Sequence, residues 1–480
     1  MFENDFHHPR YHFLPPANWM NDPNGLIQFN GEYHLFYQYF PGGAYWSDMH
    51  WGHAKSRDLV HWEHLPIALR PDMPYDNFGV FSGCTVNNNG LPTVVYTAVQ
   101  KDAGDTFGVQ LPAVATSTDL ITWEKHPDNP VIRHAPEGVR ADEFRDHVIW
   151  RESGREGDEW LMLIGSAFRD AAASERAGGT VLLYASPDLI QWRYMHPLCI
   201  GNPAETGDMW ECPDFFALSN DDETKHVLIV SPIPYGKAMH MIGTYQDRKF
   251  VPETLATHAY GGSFYAPQSF DDEQGRRVQF GWLMEKRSRE AQIASGWSGV
   301  MSLPRTFVLS EDGALLSHPV AEVQLLRRQH FHQHDLLIQN SGFMALEVQG
   351  RQLELNATFE FNPANVTEFG LVVARSADGE EQTRIVCDVA HQQIYIDRSR
   401  SQADQPSENA APCPYLFAGA SIHLHVFVDG SVIEVYVDDG RHYFADRIYP
   451  TRADSVGAGV FAVGRARLIW IDSWELAGPL

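Results

Sequence analysis

The stretch SRDLVHW at residues 56–62 recurs as STDLITW at 117–123 and as SPDLIQW at 186–192, and this repeat decides the fold. The tryptophans that close the three copies are 61 and 69 residues apart. Short strand-like runs and turn residues surround each copy, as in the hairpin predicted around Asn30-Gly31. A repeat of this length, made of short strands, predicts a β-propeller with four strands per blade. In each copy we expect the Asp to cap a turn and the Trp to pack between blades.

The first strand of each proposed blade can be marked along the chain, and the marks indicate five blades. They fall at Asp22, Gly83, Asp146, Glu211 and Ala266, with spacings of 61, 63, 65 and 55 residues. In a propeller these strands line the central channel, so we expect side chains at their ends to converge at its mouth.

The second half of the chain holds alternating strands but no copy of the repeat. Strand-like runs at 422–428 and 432–437 are joined by a turn at Asp429-Gly430. Before them, apolar residues at roughly helical spacing predict a helix over 320–329. The sequence therefore predicts an all-β fold: a five-bladed β-propeller followed by a C-terminal antiparallel β-sandwich. The predicted boundaries are a propeller domain at 1–318, a helical linker at 319–332 and a sandwich domain at 333–480.

Charge and hydropathy restrict the possible partners and location. The 480 residues carry 36 basic and 62 acidic side chains, which gives a net charge of −26. Such a charge disfavours nucleic acid and anionic membrane surfaces, because both present phosphates that repel carboxylates. The sequence has no run of about 18 apolar residues, and its first residues carry acids instead of an apolar signal core. We therefore expect a cytoplasmic protein with no membrane span, and secretion stays open if the chain has been trimmed.

The cysteines and histidines do not suggest a metal site. The five cysteines are widely spread, so we expect free thiols and no disulfide framework. The histidines are scattered without a typical zinc-ligand spacing, so we expect them to be ordinary core or surface residues.

Three of the five proposed inner strands supply a carboxylate, namely Asp22, Asp146 and Glu211. Carboxylates gathered at one channel mouth repel one another, so such a cluster needs a chemical reason. Cleavage of a glycosidic bond requires two of them, a nucleophile or base and a proton donor, and a third can hold sugar hydroxyls. Nearby aromatic side chains are expected to wall a sugar ring: Trp19, Trp46, Phe81, Trp210 and Trp282.

The segments around the three carboxylates are similar to the signature blocks of one known family. They read NWMNDPNG at 18–25, FRD at 144–146 and WECPD at 210–214. Further matching blocks are WGHA at 51–54, FSG at 81–83, FYAPQ at 264–268, GW at 281–282 and SLPR at 302–305. On these residues the chain resembles glycoside hydrolase family 32, the β-fructofuranosidases, which include invertases, sucrose-6-phosphate hydrolases, inulinases and levanases. The resemblance spans residues 8 to about 310, and residues 431–440 resemble a block of the family's sandwich domain.

The resemblance implies a fold, a reaction and a set of site residues. It implies a five-bladed propeller with a β-sandwich, and a retaining hydrolase without metal or organic cofactor. Such an enzyme releases fructose from the non-reducing end of β-D-fructofuranosides such as sucrose and short fructo-oligosaccharides, by double displacement. Asp22 is implied as the nucleophile, Glu211 as the acid/base and Asp146 as the transition-state stabiliser. The family's fructose pocket falls on these residues: Asn21, Gln38, Trp46, Phe81, Ser82, Arg145 and Trp282.

Two segments depart from the family pattern. The Arg-Asp block usually continues with Pro, and here the next residue is His147. The family often carries an Asp before the FYA block, and here residues 259–263 read AYGGS. Both departures leave the three carboxylates unchanged and bear on the aglycone that the pocket accepts.

Several functions stay open on the sequence. Within enzymes, the alternatives are an exo-fructanase on inulin or levan, a fructosyltransferase, and an arabinan-cleaving relative that inverts configuration. A retaining mechanism predicts carboxyl groups of Asp22 and Glu211 about 5–5.5 Å apart, and an inverting mechanism about 6.5–9.5 Å. A non-catalytic sugar-binding propeller is a different class, and Glu211 argues against it because a binder needs no acid. The sequence does not distinguish free from phosphorylated sucrose.

The partner we expect is a small sugar. For the sandwich domain three roles stay open: packing against the propeller, binding sugar, or forming a homodimer.

Overall fold

The computed structural model describes residues 2, 5–101, 108–154, 157–169, 176–221, 223–339, 342–402 and 409–478. Contacts between Cα atoms divide the chain into two compact units. The propeller unit comprises residues 14–258 and 265–304, and the sandwich unit comprises residues 1–13, 259–264 and 305–480. The domain boundaries drawn from the sequence stay a prediction.

The fold is a five-bladed β-propeller followed by a β-sandwich, as predicted. Four blades are antiparallel sheets of four consecutive strands, and the fifth begins with two consecutive strands. The strands of the first two blades are β1 (Asn18–Phe29), β2 (Glu32–Phe40), β3 (His50–Ser56), β4 (Trp62–Leu69), β5 (Gly79–Asn88), β6 (Leu91–Gln100), β7 (Val109–Thr116) and β8 (Glu124–Lys125). Those of the third and fourth are β9 (Phe144–Gly154), β10 (Gly157–Arg169), β11 (Arg176–Ser186), β12 (Arg193–Ile200), β13 (Met209–Ser219), β14 (Thr224–Ile233), β15 (Met239–Gln246) and β16 (Lys249–Thr257). The fifth begins with β17 (Phe264–Asp271) and β18 (Arg277–Leu283).

The repeated heptapeptide forms the turn between the third and fourth strands of the first three blades. In the first copy, Asp58 Oδ1 accepts hydrogen bonds from the backbone N–H groups of Val60 (3.1 Å) and His61 (2.8 Å). The indole N–H of Trp62 donates to the carbonyl of Leu59, 2.9 Å away, and Leu59 has a φ of 65°. The second and third copies repeat the same bonds at equivalent residues. The predicted turn capping is therefore confirmed.

The tryptophans of the repeat pack between blades, as predicted. Trp62 of the first blade makes an edge contact with Phe280 of the fifth, with ring centroids 5.9 Å apart. Trp123 of the second blade makes an edge contact with Phe36 of the first, at 5.7 Å. Because one motif supplies both a turn and an inter-blade contact, it recurs at the blade spacing.

The ring of blades is joined through the first strand. After β18 the chain returns as β19 (Trp297–Ser298), which pairs in parallel with Asn18 and Trp19 at the start of β1. Strand β20 (Val300–Met301) then pairs with Trp282 and Leu283 of β18. The start of β1 therefore lies between β2 and a strand from the far end of the propeller sequence.

The innermost strands of the first four blades each contain a β-bulge at the same level. The register shifts lie between Met20 and Pro23 in β1, Phe81 and Gly83 in β5, Arg145 and His147 in β9, and Glu211 and Asp214 in β13. Asp146 and Cys212 take left-handed backbone conformations there, with φ of 60° and 47°. A bulge turns side chains out of strict alternation, so these strands can direct consecutive residues toward the channel mouth.

The sandwich unit contains a hairpin and a ten-stranded antiparallel sheet. The hairpin is β21 (Arg305–Leu309) and β22 (Leu315–Pro319). The sheet comprises β23 (Arg327–Gln339), β24 (Phe343–Gln349), β25 (Gln352–Arg375), β26 (Gln382–Asp388), β27 (Gln393–Arg400), β28 (Cys413–Pro414), β29 (Ser421–Asp429), β30 (Val432–Val437), β31 (His442–Arg447) and β32 (Gly457–Leu476). The long strands β25 and β32 pair with each other from Leu353 to Arg375 of β25, with several register shifts along the pairing. Their inward side chains, among them Leu355, Phe359 and Leu371, form one buried apolar core.

A buried histidine ties the first residues of the chain to this sheet. The ring nitrogens of His12 lie 2.9 Å from Asp429 Oδ2 and 3.0 Å from Glu434 Oε1, and all three side chains are inaccessible to solvent. Burial alone lowers the pKa of His12, but the two carboxylates outweigh it and raise the pKa to about 9. Asp429 also accepts the backbone N–H groups of Arg10 and Tyr11.

Helices are few and short in the described residues. They are α1 (Pro203–Thr206), α2 (Arg289–Ser295) and 3₁₀ helices at Ala141–Glu143 and Ala321–Leu326. The helix predicted over 320–329 is therefore shorter than expected, because β23 begins at Arg327. None of the helices in the described part of the chain has the length and apolar character needed to span a membrane.

Candidate active site

A cavity of about 660 Å³ lies at the bulged ends of the inner strands of the propeller unit. Nine of the predicted site residues line it: Asn21, Asp22, Gln38, Trp46, Phe81, Ser82, Arg145, Asp146 and Glu211. Its volume is within the range of small-molecule sites. The three carboxylates that lie far apart in the sequence therefore meet in one pocket.

Asp22 is held by three hydrogen-bond donors. Its Oδ2 accepts from the Ser82 hydroxyl at 2.7 Å and from the Cys212 thiol at 3.5 Å, and its Oδ1 accepts from the Asn21 amide at 3.1 Å. Burial raises the pKa of Asp22, and the bonds from Ser82 and Asn21 act against that rise. The donors thus favour the ionised carboxylate that a nucleophile requires.

Asp146 lies at the β9 bulge and contacts the neighbouring blades. Its backbone N–H donates to the Thr97 hydroxyl at 3.0 Å, and its Oδ2 accepts from the Cys212 backbone N–H at 3.0 Å and thiol at 3.4 Å. Burial raises the pKa of Asp146; the Arg145 charge opposes this rise, whereas the negative charges of Glu211 and Asp22 add to it.

Cys212 bridges two of the carboxylates. Burial, together with the nearby Asp146 and Asp22, raises the pKa of its thiol well above the usual value. The thiol therefore stays protonated at neutral pH and acts as a weak donor to both aspartates.

Glu211 is fixed by a cation and a hydroxyl. Its Oε1 accepts from Arg145 Nε at 3.1 Å and Nη2 at 2.8 Å, and its Oε2 accepts from the Tyr265 hydroxyl at 2.6 Å. Burial disfavours the Arg145 charge, but Glu211 and Asp146 outweigh it and raise the pKa of the guanidinium. Two guanidinium N–H groups on Oε1 and one hydroxyl on Oε2 together set the orientation of the carboxyl group.

Of the five predicted aromatic residues, two line the cavity, two lie beside it and one is buried in a blade. Trp46 and Phe81 line the cavity with ring centroids 5.9 Å apart, and Trp46 is 46% exposed. Trp19 and Trp282 pack against each other at 6.0 Å, beside the cavity, where the Trp19 indole donates to Asn21 Oδ1 at 2.7 Å. A sugar-binding role for these two residues stays a prediction.

The prediction that Trp210 walls the sugar pocket is wrong. Its side chain is fully buried and donates to the Thr206 carbonyl at 2.7 Å. Gly179 and Gly201 make room for the indole, because a Cβ on either would lie within 2.3 Å of it. Trp210 alternates with Glu211 along β13 and so points into the blade core.

Two polar residues that hold the site together were not predicted from the sequence. Tyr265 contacts Glu211, and Gln110 accepts from Arg145 Nη1 at 3.0 Å. Tyr265 lies in the FYAPQ block, next to the blade mark at Ala266, so the block itself was the available signal. Gln110 lies in β7 without any local pattern that marks it.

In the described ranges, no group of three or more His, Cys, Asp or Glu side chains is placed to hold a metal ion. Asp22, Asp146 and Glu211 instead take their hydrogen bonds from protein donors, as described above.

The inner strands of the propeller bring a donor-bound aspartate, a second aspartate and an Arg-bound glutamate into one pocket, which is the paired-carboxyl arrangement that glycoside hydrolases use. Comparison with known proteins gives the family. The model of the glycosyl hydrolases family 32 N-terminal domain matches residues 12–319, and that of the family 32 C terminal matches residues 322–475. The chain belongs to glycosyl hydrolase family 32.

Individual relatives match over nearly the whole chain. It is 34% identical to a sucrose-6-phosphate hydrolase of Zymomonas mobilis, over 98% of this chain and 92% of that protein. It is also 34% identical to a levanase of Bacillus subtilis, over 95% of this chain and 68% of that protein. The solved fructan 1-exohydrolase IIa of Cichorium intybus superposes with a TM-score of 0.87 at 27% identity, covering 99% of this chain and 98% of that chain.

Proposed function

We propose that the protein releases fructose from the non-reducing end of β-D-fructofuranosides, with sucrose and short fructo-oligosaccharides as substrates. The observation that carries the proposal is the meeting of Asp22, Asp146 and Glu211 in one cavity, with Arg145 and Tyr265 fixing Glu211. A binding protein needs no such arrangement, because buried carboxylates repel one another and raise the free energy of the fold.

In the first step Asp22 acts as the nucleophile. One carboxylate oxygen attacks the anomeric C2 of fructose, the bond from C2 to the glycosidic oxygen breaks, and Glu211 gives its proton to that oxygen. The products of this step are the free aglycone and a fructosyl ester of Asp22. Ser82 and Asn21 support the reaction because their bonds favour the ionised nucleophile.

In the second step the roles of the two carboxyl groups are exchanged. Glu211, now ionised, takes a proton from a water molecule whose oxygen attacks C2, and the ester bond to Asp22 breaks. Two displacements at C2 leave the released fructose with the configuration of the substrate. Asp146 accepts hydrogen bonds from fructose hydroxyls and stabilises the positive charge that develops on the ring.

The charge of the cavity favours an uncharged sugar. Its described lining has five acidic residues (Asp22, Asp142, Glu143, Asp146, Glu211) and three basic ones (Lys101, Arg140, Arg145). Two of the cations are already paired, Arg145 with Glu211 and Arg140 with Asp142. A negative pocket stabilises an oxocarbenium-like transition state but repels a phosphate group. We therefore expect free sucrose to be a better substrate than sucrose-6-phosphate.

A substrate panel tests the proposal. Fructose release is measured with sucrose, sucrose-6-phosphate, 1-kestose, inulin and an arabinan oligosaccharide, and NMR identifies the first anomer formed. We expect turnover of sucrose and 1-kestose with retention of configuration. Inert sucrose and 1-kestose contradict the proposal, and release of an inverted product contradicts the role of Asp22. Preferred turnover of inulin or transfer to a second sugar assigns the chain to the exo-fructanase or fructosyltransferase alternative.

Glu211→Gln separates a hydrolase from a sugar-binding protein. The variant keeps the shape of the side chain but has no proton to give, so kcat on sucrose falls by at least about 100-fold. Glu253→Gln is the matched control, because Glu253 is an exposed residue of β16. Equal rates for parent and Glu211→Gln contradict the assigned role.

One expectation from the sequence, a cytoplasmic location, and one of the roles left open for the sandwich domain, a homodimer, also stay proposals. A cytoplasmic location is tested by fractionating cells that express the full gene. A homodimer is tested by light scattering of the purified chain. A periplasmic or extracellular product, or a monomeric mass, contradicts the respective proposal.

A further inference from the structure

His147 is a buried histidine whose ring contacts no hydrogen-bonding group of the protein. Its side chain is 2% exposed, and neither Nδ1 nor Nε2 has a partner among the described residues. Burial lowers the pKa of His147 to about 3, so the ring is neutral at any working pH. A neutral imidazole has one N–H donor and one acceptor nitrogen, and burying both without partners costs free energy.

A second, smaller cavity has His147 among its lining residues. It has room for about one water molecule, and residues from all five innermost strands line it. Its walls include Ser82, Asp146, His147 and Cys212. The same space therefore touches the unpartnered histidine, the catalytic aspartate beside it, and two donors to Asp22.

The backbone explains why consecutive residues face this space. In β9, Arg145 pairs with Gly165 and His147 with Ile164, so Asp146 is the extra residue of the bulge. Both Asp146 and His147 reach the second cavity, whereas a regular strand directs neighbours to opposite faces.

We propose that the second cavity is a built water site, in which His147 holds one water molecule against the carboxylate of Asp146. His147 is then a positioning residue for the hydrolysis: one ring nitrogen bonds the water, and the water donates a hydrogen bond to Asp146. The bond favours the ionised form of Asp146 at a place where burial disfavours charge. This inference rests on the proposed function for its kinetic test but not for its structural test.

The groups that face Asp146 determine how large the effect is. Asp22 and Glu211 oppose its ionisation, Arg145 favours it, and the Cys212 thiol and backbone N–H donate to Oδ2. Each of these groups is present in parent and variants alike, so a change in pH profile reports the water bridge.

Three variants test the proposal by the pH profile of kcat on sucrose and by the melting temperature Tm. In His147→Leu the acidic limb moves to higher pH by about one pH unit, as expected for the loss of one hydrogen bond to a charged group. His147→Gln retains a donor and an acceptor, so it keeps the limb within about 0.3 pH units of the parent. His53→Leu, a control at a buried histidine of β3 that packs on Phe36, lowers Tm but leaves the limb in place.

A limb that stays in place in His147→Leu while Tm falls overturns the proposal, because it shows a merely structural role. Failure of His147→Gln to restore the limb overturns it as well. A high-resolution crystal structure of the parent tests the water directly, even if the variants do not fold. It is expected to show a water within hydrogen-bond distance of a His147 nitrogen and an Asp146 oxygen, and an empty cavity overturns the proposal. If sucrose is inert for the parent, the proposed function fails while the crystallographic test still stands.

Discussion

The charge on His12 stabilises the sandwich unit in a way that depends on pH. In the fold the imidazolium donates to Asp429 and Glu434, and its pKa is raised from 6.5 to about 9. The difference corresponds to about 3 kcal/mol of folding free energy. Because the folded pKa lies above the unfolded one, this contribution is fully present below pH 6.5 and is lost as the pH rises through 9. His12→Gln removes the charge and therefore removes this pH-dependent contribution to the free energy of unfolding.

Urea unfolding at about pH 6 and about pH 10, followed by tryptophan fluorescence, measures the effect. We expect the gap in unfolding free energy between parent and His12→Gln to be about 3 kcal/mol larger at the lower pH. His34→Gln is a control of opposite sign. Burial lowers the folded pKa of His34 to about 4, so at about pH 6 only the unfolded chain binds this proton, and the gap for His34→Gln is expected to be up to about 1 kcal/mol smaller at the lower pH. NMR titration of the His12 ring checks the cause. An equal gap at both pH values, or a ring pKa below 7, refutes the reasoning.

Three further predictions concern the active site. Tyr265→Phe removes the 2.6 Å bond to Glu211 and lowers kcat/KM on sucrose by about 10-fold or more; an unchanged value contradicts the positioning role of Tyr265. Asp146→Asn lowers kcat at least about 100-fold. It raises Tm at pH 7, because the folded pKa of Asp146 is raised and its ionisation therefore destabilises the fold. Calorimetry at pH 4 and 7 is expected to show that the gain in Tm over the parent is smaller at pH 4. Ser82→Ala removes a donor to Asp22, so the acidic limb of kcat/KM moves up by about one pH unit, and a limb that moves down contradicts the assignment.

The fold was predictable because one local motif contains most of its information. The heptapeptide forms its own turn through short-range bonds such as those of Asp58 and Trp62, so its copies mark the blades in the sequence. The carboxylates followed from the blade marks at Asp22, Asp146 and Glu211, together with the similarity of their blocks to one family.

Other features depend on tertiary structure and left no usable signal in the sequence. Val320, Val323 and Leu326 are buried at a spacing of three, which fits a 3₁₀ turn as well as the first turns of an α helix. Trp210 and Glu211 are neighbours with opposite surroundings, and only the position of β13 in the blade shows which of them faces the channel. The β-bulges at the catalytic residues depend on pairing with the second strand of each blade, which a single sequence does not reveal.

The parallel pairing of β19 with β1 has a consequence for synthesis on the ribosome. Asn18 and Trp19, just before Asp22, find this partner about 280 residues later, at Trp297 and Ser298. At the usual rate of synthesis, roughly 14–56 s pass between the synthesis of β1 and that of its partner β19. During this time β1, which carries Asp22, has left the ribosome and its start has no β19 to pair with. We therefore expect a chaperone that covers this unpaired edge to raise the yield of active enzyme.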